Sequence, residues 1–335
     1  MILAGDIGGT KTVLALFEPV ASDLRLVHDA VFHSGDYHSF DDVLKEFLRS
    51  GTAHPTAACF GVAGAVIDGR AQITNLPWVL EEPALASVTA AARVKLLNDL
   101  EASAYGVLFL RDDERSVLNE GTPTTHRGNI AVIAAGTGLG EAILYSDGTH
   151  FQPIASEGGH ADFAPRSDEE VDLLRYLRTR FDGHVSYERV LSGPGVRNIY
   201  DFLRDSHFAP EPASLAQQLA SGDPSATIAE HGLAGTDPLC VKTLDMFAGI
   251  YGAEAGNLAL KCLAVGGVAI TGGIAPKLLP VLRNGSFMRG FTDKGRFATL
   301  MTRMPVAVAL NPRTPLLGAA HFGVRISGEN TPRRG

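Results

Sequence analysis

The sequence predicts an α/β protein built as two related lobes, each a mixed β-sheet with helices, with a cleft between the lobes. Two observations predict it. Apolar strands and amphipathic helices alternate over most of the 335 residues. One pattern also occurs twice: an apolar strand, a Gly/Thr turn and a second apolar strand. The first copy is Ile2-Leu-Ala-Gly-Asp-Ile-Gly-Gly-Thr-Lys-Thr-Val-Leu-Ala-Leu-Phe17 and the second is Ile130-Ala-Val-Ile-Ala-Ala-Gly-Thr-Gly-Leu-Gly-Glu-Ala-Ile-Leu-Tyr145. Glycines let backbone N–H groups approach phosphate oxygens, and threonine adds a hydroxyl donor. One such turn is weak evidence, but two in one chain predict two clamps on one polyphosphate.

The elements follow in order. Ile2–Ala4 and Thr12–Phe17 form the opening hairpin, and Leu24–Phe32 reads as a third strand. Phe40, Val43, Leu44, Phe47 and Leu48 have helical spacing. Ala57–Val62 is a buried strand, and Ala65–Ile73, with Asp68-Gly69 inside it, is a hairpin. Val94–Leu97 is a strand running into Asn98-Asp99, and a helix, Leu100–Phe109, follows. Arg111–Gly128 is polar and reads as the crossing between lobes.

Ile130 opens the second sheet. Asp168–Phe181 is a helix, with Ser167 as N-cap and three acidic residues at its positive end. Ser206–Asp237 is expected to hold one short helix between loops. Asp237-Pro238 starts a long helix that buries Cys240, Leu244, Phe247, Tyr251, Leu258 and Cys262. Its Gly249, Gly252 and Gly256 predict close packing against another backbone. Val268–Thr271 is a strand that ends in Gly272-Gly273, followed by a helix with Pro276 in its first turn. Val306–Leu310 and Pro315–Val324 are the last strand and helix. Residues 1–110 with 311–335 form the expected small lobe, and 111–310 the large one.

Composition narrows the function class. Hydrophobic residues are 45% and charged residues 20%, which suits a soluble enzyme. A net charge of −8 leaves no basic field for nucleic acid. No apolar run has the length of a membrane span. The chain enters a strand at once, so no signal peptide is expected. Cys59, Cys240 and Cys262 are odd in number and scattered in apolar sequence, and they read as buried thiols of a cytoplasmic protein.

Six motifs then occur in order: Gly5-Asp-Ile-Gly-Gly-Thr10, Leu97-Asn-Asp-Leu100, Ala135-Gly-Thr-Gly-Leu-Gly140, Ser156-Glu-Gly-Gly-His-Ala-Asp-Phe-Ala-Pro165, Tyr187-Glu-Arg-Val-Leu-Ser-Gly-Pro-Gly195 and Thr271-Gly-Gly-Ile274. The set resembles the bacterial glucokinases, the ATP-dependent, zinc-free type within the hexokinase/actin-like superfamily (ribonuclease-H-like fold). The resemblance runs from Leu3 to about Gly323. The neighbouring ROK-type kinases and repressors share the phosphate turns but carry a zinc motif of closely spaced cysteines after Gly-His. This chain has no cysteine between Cys59 and Cys240, and no DNA-binding helix-turn-helix is visible in it.

The resemblance implies a role for each residue. Asp99 would be the base that accepts the proton of the sugar 6-hydroxyl; alone, Asn-Asp before a helix reads as a cap. Asn98, Asp99, Glu157, His160 and Glu188 would grip sugar hydroxyls, with Asn75 as an added contact. Gly5, Asp6, Ile7, Gly8, Gly9, Thr10, Gly136, Thr137 and Gly138 would face ATP phosphates, and Gly272 and Gly273 the adenosine. Asp6 would hold Mg²⁺ through water. Lys11 is left out of the catalytic set. Two lobes would close on the sugar, and the helices Leu100–Phe109 and Leu239–Cys262 would meet at a hinge of small residues: Ala102, Ala104, Gly106, Gly252 and Gly256.

The expected reaction is phosphorylation of glucose at O6 by ATP in a homodimeric cytoplasmic enzyme. The alternatives are a kinase for another hexose on the same fold and a catalytically inactive sugar-sensing regulator.

Overall fold

The computed structural model describes residues 1–21, 23–49, 54–122 and 127–328. The chain divides into two compact units. The first holds Met1–Asp112, Phe151–Ala155 and the segment from Asn311 onward; the second holds Asp113–His150 and Ser156–Leu310.

The first unit begins with β1 (Ile2–Ile7), β2 (Lys11–Val20) and β3 (Asp23–His33), followed by α1 (Phe40–Arg49) and β4 (Ala57–Val62). A small antiparallel sheet of β5 (Val66–Ile67), β6 (Arg70–Gln72) and β7 (Val79–Glu81) comes next. Then come α2 (Glu82–Thr89), β8 (Arg93–Asn98) and α3 (Asp99–Gly106). The main sheet has the order β3-β2-β1-β4-β8. The first three strands run antiparallel, whereas β4 and β8 run parallel to β1. Parallel neighbours need crossovers, which α1 and the β5–α2 segment supply.

Both faces of this sheet are buried, so its strands carry apolar residues at successive positions. Ile2, Ala4, Val13, Ala15 and Phe17 face one core, and Leu3, Leu14 and Leu16 face another that includes Phe40, Val43, Leu44 and Phe47 of α1.

The second unit contains β9 (Arg115–Asn119), β10 (Ile130–Ala135), β11 (Leu139–Ser146), α4 (Asp168–Arg178), α5 (Gly193–Asp205), α6 (Ala213–Ser221), α7 (Pro224–Ala234) and α8 (Pro238–Cys262). It continues with β13 (Gly267–Thr271), α9 (Leu279–Leu282), α10 (Ser286–Thr292), α11 (Ala298–Thr302) and β14 (Val306–Ala309); β12 (Phe151–Ser156) is grouped, except for Ser156, with the first unit. The six-stranded sheet has the order β12-β11-β10-β13-β14-β9. Its centre repeats the first sheet: an antiparallel hairpin, β10–β11, continued by the parallel strands β13 and β14. The recurring strand–turn–strand pattern of the sequence thus marks the same place in two sheets. The chain ends in the first unit with α12 (Thr314–Ser327). No helix among the described residues is long and apolar enough to cross a membrane.

Several expectations need correction. The segment expected as a polar crossing contains β9, an edge strand paired antiparallel with β14; it is short and mostly polar, so pattern alone does not reveal it. Ser206–Asp237 holds two helices, not one. The second was legible: Asp223 caps it through Ser225 and Ala226 N–H groups, Pro224 follows, and Gly235 ends it in left-handed geometry. Pro276 lies outside any helix, and α9 starts at Leu279 with Pro280 in its first turn. Cys59 and Cys240 are buried but Cys262 only partly.

The small residues named for the hinge also make close contacts inside their own units. A Cβ at Gly318 of α12 would overlap the Ala102 carbonyl of α3, so α3 packs on α12 within the first unit. A Cβ at Gly252 would overlap the Phe287 carbonyl, and one at Gly256 would stand 2.7 Å from Phe291 O. The glycines of α8 therefore seat α10, inside the second unit. Overpacking such a contact costs about 1–3 kcal/mol or more. Gly252→Leu is expected to lower the melting temperature of the whole protein by several degrees. A variant that melts like the wild type would show that α10 can lift from α8 freely.

Candidate active site

In the first unit, β1, β4 and β8 end in register, with Ile7 opposite Val62 and Val62 opposite Asn98. The Gly8–Thr10 turn leaves β1 at this edge, and α3 starts there with Asp99. Gly61 of β4 lies between β1 and the start of α3: a Cβ there would stand 2.8 Å from Ala102 Cβ, 3.8 Å from Gly5 O and 4.0 Å from Asp99 Cα. Asp6 and Asp99 are close enough to repel. Burial first, and then the Asp99 charge, push the Asp6 carboxyl up to about 6, against a smaller opposite effect of Lys11.

Asn98 is the N-cap of α3. Its Oδ1 accepts from Glu101 N–H at 2.7 Å, while Glu101 Oε2 accepts from Asn98 N–H at 2.9 Å. What Asn98 brings to a ligand is therefore its amide N–H pair. Asp99 Oδ1 accepts from Leu100 N–H at 2.9 Å.

The Gly8–Thr10 turn is propped from behind by Ser34, which the sequence reading missed. Ser34 Oγ donates to Gly8 O at 2.8 Å, lies 3.0 Å from Thr12 Oγ1, and its own N–H reaches Thr10 O at 2.9 Å. Asn75, exposed and left-handed with φ 65°, stands beside the same turn: a Cβ at Gly9 would lie 3.7 Å from Asn75 Cβ and 2.7 Å from Thr74 O. Asp6 and Gly8 open on a cavity of about 250 Å³ that Lys11, Pro312 and Arg313 also line. Arg313 is ion-paired with Asp29 at 2.8 Å. Lys11, set aside on sequence grounds, is therefore at this site.

In the second unit, the Gly136–Gly138 turn closes on itself, with Gly136 N–H donating to Gly138 O at 2.8 Å. Glu188 is bound to that turn. Its Oε2 accepts from Leu139 N–H at 3.0 Å, and a Cβ at Gly138 would come within 2.5 Å of it. Glu157 and His160 lie exposed on a 3-10 turn whose two glycines press on β11. That turn is joined to the Glu188 segment by backbone bonds, Phe163 N–H to Val185 O and Tyr187 N–H to Ala161 O, both 2.9 Å. Glu157, His160 and Glu188 thus share one edge of this unit with the turn. Gly272, with φ 84°, passes 2.5 Å (as a Cβ) from Ala135 O, so the fold itself demands glycine there, while Gly273 is open.

The glucokinase family model matches residues 3–325. The chain belongs to the glucokinase family. The glucokinase of Trichormus variabilis is 42% identical to it over 97% of this chain and 99% of that relative. That of Caulobacter vibrioides is 37% identical over 95% of this chain and 93% of its own. A solved glucokinase from an Antarctic psychrotroph superimposes with a TM-score of 0.85 at 30% identity, covering 97% of this chain and 98% of that one. A ROK-family glucokinase of Streptomyces griseus, solved with glucose and AMPPNP, shares the fold with a TM-score of 0.63 at 20% identity, covering 97% and 99%. The mixed α/β architecture is that of these sugar kinases, the actin-like ATPase fold.

For this family member, the donor set at Asp6 fits a hydrated magnesium ion. A carboxyl raised first by burial and then by a neighbouring carboxylate is the arrangement that a divalent cation relieves.

The sign of the resulting stability effect follows from linkage. The folded Asp6 pKa lies above the ordinary value of 3.8, so folding favours the protonated acid. Its contribution is complete below the ordinary value and is lost as pH rises through about 6. Asp6→Asn is expected to melt above the substrate-free wild type at pH 7.5, with the gap shrinking towards pH 4.5. A gap independent of pH would show that Asp6 carries no such strain.

Proposed function

We propose that this chain transfers the γ-phosphoryl group of ATP to the 6-hydroxyl of D-glucose. The O6–phosphorus bond forms as the bond to ADP breaks, and the hydroxyl proton passes to an Asp99 oxygen. The observation that supports this reading is the closeness of the Asp6 and Asp99 carboxylates in a chain of the glucokinase family. A loose transition state asks little of the base's pKa, and positioning does most of the work.

In this reading Gly5–Thr10 and Gly136–Gly138 hold the phosphates, and Gly272 and Gly273 the adenosine. Asp6 holds magnesium through water, and the ion neutralises charge on the phosphates when bound. Asn75, Asn98, Asp99, Glu157, His160 and Glu188 hold the sugar. The cytoplasm and a homodimer complete the proposal. A coupled assay with MgATP and a panel of hexoses tests it. Glucose is expected to give the highest kcat/KM, and a clear preference for mannose, fructose or an amino sugar would reassign the substrate.

A further inference from the structure

Two carboxylic acids are buried under the proposed sugar-binding loops and take no part in the chemistry above. Glu141 of β11 is 1% exposed and Glu254 of α8 is 0% exposed. Glu141 Oε1 and Glu254 Oε1 have no hydrogen-bond partner among the described residues. The two carboxyl groups are close enough for the Glu254 charge to act on Glu141, and a proton on either would supply a donor that neither Oε1 has.

Each acid is also tied to one loop. A Cβ at Gly158 would overlap Glu141 Oε2, and one at Gly159 would overlap Leu139 O, so the Glu157–His160 turn rests directly on β11. Glu254 Oε2 accepts from Asn257 Nδ2 at 2.8 Å, and Asn257 Nδ2 also donates to Tyr187 Oη at 3.0 Å. Tyr187 precedes Glu188 in the chain. The loops carrying Glu157, His160 and Glu188 therefore converge on one carboxyl pair.

We propose that Glu141 and Glu254 share one proton and are positioning residues for the sugar-binding loops, so that losing this proton loosens glucose binding. The inference rests on the sugar-binding reading of Glu157, His160 and Glu188. Burial, and then the Glu254 charge, push the Glu141 carboxyl up to about 8, against a smaller opposing effect of Lys261.

The other charged groups around the pair leave it proton-dependent. Lys261 Nζ stands 3.5 Å from Glu254 Oε1 but is itself 57% exposed. Burial pushes the Tyr187 and Tyr251 phenols up, so both stay protonated. Lys294, near enough to feel the Glu254 charge, is half-buried and donates its Nζ to Ala253 O at 3.0 Å, and Arg166 is spent on Glu170. Above the Glu141 titration two negative charges face one another in the interior, and the loops they support lose their seat.

Glucose KM, ATP KM and kcat should be measured from pH 6.5 to 9.5 for the wild type and Glu141→Gln. The glutamine amide donates to Glu254 with no proton to lose. The wild-type glucose KM is expected to rise by roughly tenfold per pH unit above the titration, with ATP KM moving far less, and Glu141→Gln to stay within about twofold. An equal rise in both proteins, or a flat wild type, overturns the proposal.

Amide exchange of residues 156–160 and 187–189 in the substrate-free proteins, taken as the ratio of wild type to Glu141→Gln at each pH, reads the loops without sugar. The ratio is expected to climb with pH, and a constant ratio overturns the pair. If Glu157→Ala leaves the glucose KM unchanged, the sugar reading fails on its own while this ratio still judges the pair. Should Glu141→Gln not fold, Glu254→Gln serves. Its amide donates to Glu141 in the same way and only one charge remains, so the alkaline rise is expected to vanish, and a rise like that of the wild type overturns the proposal.

Discussion

Asp99→Asn is expected to lose about 10²–10⁴-fold in kcat while still binding glucose, because a positioned base is removed and little else changes. The substitution is close to isosteric. An asparagine carbonyl can still accept from Leu100 N–H as Asp99 Oδ1 does at 2.9 Å, and the Asn98–Glu101 capping box that starts α3 is untouched. The nearby Asp6 gains from the change, since Asp99 is the charge that, after burial, raises its carboxyl. Reduced turnover therefore cannot be laid to a weakened metal carboxylate. Turnover by the coupled assay and glucose affinity by calorimetry separate the two effects. A variant that keeps more than about a tenth of the wild-type rate would remove Asp99 as base.

The three sugar candidates of the second unit are expected to divide. Glu157→Ala and His160→Ala should each raise the glucose KM about ten- to hundredfold, since a charged hydrogen bond to a hydroxyl is worth roughly 1.5–3 kcal/mol. ATP KM should hold, because both side chains stand exposed on their turn, away from any bond to Gly136–Gly138. Glu188→Ala should raise both constants. Its Oε2 holds Leu139 N–H at the foot of the Gly136–Gly138 turn, so removing it leaves a backbone donor unpaired and loosens Gly138. For the same reason Gly138→Val should disturb sugar and nucleotide together, because the added side chain would displace Glu188. A Glu188→Ala variant with only glucose affected would mean that the turn holds its shape without that carboxylate.

How far the sequence could be read depended on whether a signal was local. The opening hairpin, α1, β4, β8 and α8 all announce themselves by apolar spacing and end signals within one segment, and each is present with ends within three residues of the expected ones. β9 lacks such a signal because it exists only by pairing with β14, nearly two hundred residues away in the chain. Ser34 is invisible for the same reason. A serine at a strand end is ordinary until the fold lays it behind Gly8 and Thr10. The contacts of the small helix residues have a related cause. Small residues on a helix say that something comes close, but not which partner: Gly252 and Gly256 of α8 meet α10, and Gly318 of α12 meets α3.

The sequence by itself determined the two strand–turn–strand units, the capped start of α3 with Asp99 behind Asn98, and the family, since each is written in contiguous residues whose chemistry is specific. Only the tertiary structure decided that Asp6 and Asp99 stand close enough to repel, that Glu188 is bonded to the second turn, and that Glu141 and Glu254 are buried near one another. These are contacts between residues far apart in the chain, set by strand register and helix packing. Their energies, from burial, like-charge repulsion and an unpaired oxygen, arise only once folding has removed water from between them.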